Sequence, residues 1–367
     1  SRNITVSDAV FFFGGRTDYD RAAWKHQHWR HWVRRKVCVH LFGCNCCCSI
    51  CGRYYDSTIY RERRHKRSRT KLLHKFNRVL IYAVGGGLLE VLVSPIVEAC
   101  PTQNKEKAMS LLHSFYCWGH VAVVLLSTVF FQIFGIQRWK IMSCIWAVVP
   151  FINMIFFTKV PIASLVNEGE KGLTIGQLFH RKIFWVLMVM MICAGASEQA
   201  VSQWASTFAE TGLGVSKVIG DLAGPMLFAF LMGSARAFYG KYGEQIDLEH
   251  FMTGSCVLCI IAYLCISLVP SPIVGFIGCA LCGLSVGIMW PGVFSKASAS
   301  IAKGGTAMFA LLALAGDVGC SGGPTVVGMV SSVLGNNLKT GILAGVIFPI
   351  LLLAGIYLCR LYHKKCN

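Results

Sequence analysis

Charge is what this sequence has least of. Asp, Glu, Lys and Arg make up 14% of its 367 residues, where a soluble globular chain carries about 25%. With 54% apolar residues, the chain has too little polar surface for water and is expected to lie in lipid. Acidic groups are scarcest, 17 against 35 Lys and Arg. Catalytic signatures are missing too. There is no Walker loop or H-E-x-x-H. The first absence argues against an ATP-driven pump and the second against zinc-peptidase chemistry; no catalytic constellation stands out, and neither an enzyme nor a cofactor is expected. Residues 1–30 lack the basic, apolar, small order of a cleavable signal peptide.

What charge there is lies unevenly. Residues 1–78 hold 18 of the 35 basic residues and 5 of the 17 acids, whereas residues 79–367 hold 17 and 12. The basic character therefore belongs to the first fifth and is no nucleic-acid signal for the whole. Of the 18 Cys, 12 lie beyond residue 78, nearly all in apolar runs, where a thiol acts as a small hydrophobe.

From residue 79 long apolar segments alternate with short loops. About 20 such residues cross a bilayer as a helix. The pattern predicts an all-α, polytopic bundle of about nine spans: 79–99, 107–131, 140–158, 182–209, 218–239, 251–269, 272–294, 304–333 and 340–360. Their glycines, as in VGGGLLE at 84–90, suit close helix packing better than a phosphate loop. Thirteen Lys and Arg border the ends on one side and four those on the other, Arg236 counted among the thirteen. The positive-inside rule puts the first set in the cytoplasm. A multi-pass monomer in the plasma (inner) membrane with a cytoplasmic C-terminus is expected. The polar loop 159–181 joins a three-span part, 79–158, to a six-helix bundle, 182–367.

Residues 1–78 clash with this topology, because residue 78 falls outside. CNCCCSIC at 44–51 and YRERRHKRSRTK at 60–71 suggest a zinc module or a nucleic-acid arm. Cys48 and Cys51 form one C-x-x-C pair, but no orderly second pair follows. A basic arm would stand on the wrong side of the membrane. The preferred reading is an out-of-frame or disordered segment in place of natural spans, with no metal and no nucleic acid bound.

An internal echo orders the rest. GGGLLEVLVSPIVEACPTQNKEKAMSLLHSFYCWGH (85–120) and CGLSVGIMWPGVFSKASASIAKGGTAMFALLALAGDVG (282–319) each run from a Gly-rich helix through Pro and a basic loop to Ala-Met and a Leu pair. Parallel repeats mark a transporter architecture. On these residues, and on GSARAFYGKYG at 233–243 taken as a loop with Gly233, Arg236, Gly240 and Gly243, the chain resembles the major facilitator superfamily. GASEQAVSQWASTFAE at 195–210 resembles helix seven of the fucose–proton symporter group. The resemblance implies helices four to twelve of a twelve-helix pattern. It also implies a secondary transporter of a small polar solute, a sugar or similar molecule, coupled to protons. With helices one to three missing, the chain as written is expected to be truncated and inactive. A drug exporter of the same fold, and a non-transporting membrane protein with a metal- or nucleic-acid-binding extension, are the alternatives.

Ionisable groups inside spans are costly and mark function by default. Glu90, in the fourth helix, can take a proton from one side and release it to the other. The resemblance gives it the coupling role. Glu198 shares a face with Ser202, four residues on, beside a second polar row of Gln199 and Gln203. Trp204 offers a flat wall to a sugar ring. His113 and His120 are two turns apart on one face, and Asp317 interrupts an apolar helix. Glu90 aside, these eight residues are the substrate-binding candidates, with structural hydrogen bonding or packing as the plain alternative.

Overall fold

A computed structural model describes residues 65–160, 172–206 and 222–366. Most of the 1–78 segment, including CNCCCSIC, and the centre of the 159–181 loop lie outside the described residues. The helices are α1 (His65–Ala99), α2 (Lys105–Phe134), α3 (Trp139–Phe157), the short α4 (Ile175–Phe179), α5 (Lys182–Ser202) and α6 (Leu227–Tyr242). They are followed by α7 (Leu248–Leu268), α8 (Pro272–Val286), α9 (Met289–Ser300), α10 (Gly305–Val333), α11 (Leu338–Gly345) and α12 (Ile347–Cys366). Among the described residues there is no strand. The all-α bundle is as expected. α1 begins upstream of Val79, so the helix runs without a break across the composition boundary.

Seven stretches among the described residues are long and apolar enough to cross a membrane. The other two expected spans fall on α1 and α6. α8 with α9, and α11 with α12, each act as one interrupted span, as the candidates Ile273–Ser300 and Leu338–Tyr362 show. α3 buries only Met142 and exposes Ile145, Val149, Phe151 and Phe156. In water such a face would drive association; in a bilayer it meets acyl chains.

Contacts at the helix ends establish the up-and-down order. Glu98 at the end of α1 accepts from Ser298 Oγ of α9 at 2.6 Å. Lys107 of α2 pairs with Glu244 beyond α6 at 2.6 Å. Lys296 of α9 pairs with Glu249 of α7 at 2.9 Å, and Arg360 of α12 reaches the same carboxylate at 3.5 Å. All these ends meet on one flank, the one where Lys and Arg concentrate. On the opposite flank Lys339, in the first turn of α11, donates to the Val269 carbonyl at the end of α7, 2.7 Å away.

The core is made by α5 and α10, which pack so closely that glycine is required. A Cβ at Gly319 would collide with the Ile192 carbonyl, and one at Gly323 would stand 2.6 Å from the Ala196 carbonyl. Small residues four apart let membrane helices approach in this way. Met190, Met191, Leu312 and Phe309 are buried around the contact.

Helix starts are set locally. Asn104 caps α2 by accepting from Lys107 N at 2.9 Å, and Asp247 caps α7 by accepting from His250 N at 2.8 Å. The His250 amide and ring hold the exposed Asp247 carboxyl below its usual range. Asp247 is ionised and stabilising above the ordinary carboxylate range, and its contribution is lost as pH falls through the lowered folded-state value. Asp247→Ala is expected to cost about 1 kcal/mol at neutral pH. Melting curves in detergent should show the gap from wild type close on acidification. A gap independent of pH would rule out the charged cap.

Candidate functional site

The site is organised by a residue the sequence reading misplaced. GSARAFYGKYG is not a loop: Gly233 to Tyr242 are the last turns of α6. Arg236 therefore does not flank a span but lies 2% exposed inside the bundle. The pattern Gly233, Gly240 is a packing pattern. A Cβ at Gly233 would stand 2.9 Å from the Cys117 Cβ, and one at Gly240 3.2 Å from the Leu111 Cβ, both on α2.

A guanidinium stays charged in a protein, so its burial demands partners. Arg236 finds them on three sides. Its NH2 group donates to Glu198 Oε2 of α5 at 3.2 Å. Its NH1 group donates to the His113 carbonyl at 3.0 Å and to Cys117 Sγ at 3.2 Å, both on α2. Its Nε donates to the Gly287 carbonyl at 2.8 Å. That carbonyl is free for a reason written in the sequence. Four residues on stands Pro291, which has no N–H to continue the helix. The chain breaks there between α8 and α9, and Arg236 takes the vacated acceptor.

Glu198 is itself 6% exposed, and the Gln199 side chain bonds to it as well. An ion pair so enclosed is a committed charge centre rather than a surface bridge.

A second group of acids lies across the bundle. Glu90 of α1 and Asp317 of α10 line one cleft of about 280 Å³, walled by Ala83, Gly87, Ala313 and Leu314. Glu90 stands exposed in it and Asp317 half-buried. The two carboxylates interact electrostatically, and Glu90 also senses Glu198. Cys320, one turn beyond Asp317, lies within electrostatic reach of Glu90, Asp317, Glu198 and Arg236. Electrostatic reach from Glu90 to Glu198, and from Cys320 to both groups, makes them one polar tract in an apolar bundle.

The structure thus brings together Glu198, Gln199, Glu90 and Asp317, all singled out from the sequence. His113 joins through its carbonyl, while its ring stacks on Phe294 with centroids 5.7 Å apart and its buried Nε2 has no partner. His120 lies farther along α2, edge-on to Tyr116 at 6.5 Å. Ser202, Gln203 and Trp204 are half-buried at the far end of α5, where the Trp204 Nε1 is buried without a partner. Among the described residues no group of three or more His, Cys, Asp or Glu could hold a metal ion. Cys117 and Cys320 were missed, and Arg236 was misplaced at a helix end. The available signal was an arginine amid small residues in an apolar run, with Pro291 freeing a carbonyl elsewhere.

Comparison with known proteins fits this geometry. The family model described as Major Facilitator Superfamily matches residues 76–324. A structure of the transporter FucP in the outward conformation is similar at 16% identity and a TM-score of 0.63, over 77% of this chain and 75% of that one. A structure of the E. coli fucose:proton symporter FucP gives 14% and 0.65, over 96% and 90%. The human organic anion transporter TETRAN gives 13% and 0.60, over 77% and 71%. No curated protein matches the sequence.

Proposed function

Because the chain belongs to the Major Facilitator Superfamily, we propose that it serves secondary transport of a small polar solute, a sugar or a similar molecule, coupled to protons. The observation that carries this reading is the cleft holding Glu90 and Asp317. It places a carboxylate from each side of the loop 159–181 against one space. Like charges that share a site favour uptake of a proton, and a proton bound there is available to both sets of helices. In transporters built from repeats, coupling-ion sites lie near the midplane at the repeat interface.

Glu198 and Gln199 supply acceptors and donors for hydroxyl groups, and the unpartnered Nε2 of His113 and Nε1 of Trp204 supply further hydrogen-bonding positions. Arg236 is occupied by four protein acceptors, which favours an uncharged solute over an anion. The likeness to a fucose:proton symporter in fold supports the sugar reading. The basic flank faces the cytoplasm, in a plasma membrane.

The test is calorimetry of neutral monosaccharides binding to the purified protein in buffers of different ionisation enthalpy. Binding should take up a proton, and Glu90→Gln should abolish that uptake while leaving binding measurable. Binding of an organic anion in preference to any sugar, or sugar binding with no proton linkage, would overturn the reading.

A further inference from the structure

The contact between α2 and α6 has an uneven character. Along it lie Tyr239 OH, donating to Glu106 at 3.0 Å, and Ser110 Oγ, donating to the Arg236 carbonyl at 2.8 Å. The Gly233 and Gly240 approaches are there as well. At its deep end the only charged side chain among these contacts is the Arg236 guanidinium. It holds α2 through the His113 carbonyl and Cys117, and the same planar group holds Glu198 on α5.

We propose that Arg236 is a positioning residue that makes the α2–α6 seam depend on the state of Glu198. The guanidinium is rigid and planar, so its donors keep a fixed orientation relative to one another. While Glu198 is ionised and free of solute, it fixes the plane in which NH1 meets α2. When the Glu198 carboxylate is neutralised or turned toward solute hydroxyls, the guanidinium loses the one anion it pairs with among the described residues. The hydrogen bonds that it makes to α2 weaken with it, and the seam can open. The site and the seam between α2 and α6 are then linked through one side chain. The functional importance of this link rests on the transport reading above, but the geometry of the tether does not.

Cys117 gives the readout. Its thiol is fully buried in the seam, between Gly233 and the guanidinium. Cys256 and Cys259 are equally buried in α7 and report general loosening. Alkylation by N-ethylmaleimide, followed peptide by peptide by mass spectrometry without any solute, is measured for wild type, Glu198→Gln and the double variant Glu198→Gln with Arg236→Met. The double variant removes both charges and so avoids leaving either one buried alone. Cys117 should be protected in wild type and react about tenfold faster in both variants, the effect of weakening hydrogen bonds to a charged group. Cys256 and Cys259 should stay protected. Protection of Cys117 in the double variant, or in folded Glu198→Gln, would overturn the tether. So would parallel labelling of all three cysteines in the double variant. Since no solute or proton gradient enters the measurement, a failure of sugar binding leaves its outcome untouched.

Discussion

Replacing Glu198 by alanine is expected to lower stability by about 3–5 kcal/mol, the loss seen when one partner of a buried ion pair is removed. The effect is large because Arg236 is always charged and lies at 2% exposure. The carbonyls of His113 and Gly287 remain as acceptors, but neutral dipoles do not balance a full charge in an apolar bundle. Removing both partners, with Glu198→Gln and Arg236→Met, should recover most of the loss, since an apolar or neutral replacement of a buried pair is often neutral or better. Thermal unfolding in detergent, followed with a thiol-reactive dye, gives the measurement because buried thiols such as Cys193, Cys256 and Cys259 emerge on unfolding. Equal losses in the single and double variants would show that the pair does not act as a unit.

Two glycines three residues apart on α10 should respond to alanine in opposite directions. Helix propensity alone favours alanine over glycine by about 1 kcal/mol in a helix interior. At Gly322 nothing lies within 4 Å of the added Cβ, so the propensity gain should appear as greater stability. At Gly319 the Cβ would collide with the Ile192 carbonyl. Backbone cannot swing aside as a side chain can, and overpacking of this kind costs about 1–3 kcal/mol, occasionally more. Gly319→Ala should therefore melt lower than wild type and Gly322→Ala higher. A stabilised Gly319→Ala would mean that α5 and α10 are not held together by this approach.

Much of the fold was legible before any coordinates. Apolar runs located the helices, and the asymmetry of Lys and Arg ordered their ends into the two flanks that Lys107–Glu244 and Lys339–Val269 define. Scarcity made the acids visible. In a chain with so few, Glu90, Glu198 and Asp317 each stood out, and all three fall in the polar tract. Arg236 was misread because glycine has two uses. Gly233, Gly240 and Gly243 suggested a turn, whereas Gly233 and Gly240 serve the approach of α6 to α2.

Sequence by itself determined that the chain is helical, membrane-embedded and threaded back and forth, since those properties follow from hydrophobic length and charge placement along the chain. It also supplied Pro291, whose missing N–H leaves the Gly287 carbonyl without a helical partner. Only the tertiary structure decided which charges meet. Arg236 and Glu198 are 38 positions apart, and Glu90 and Asp317 belong to different halves of the chain. Their partnership depends on helix crossings fixed by small residues and by close packing, which no local pattern of apolar and polar residues encodes.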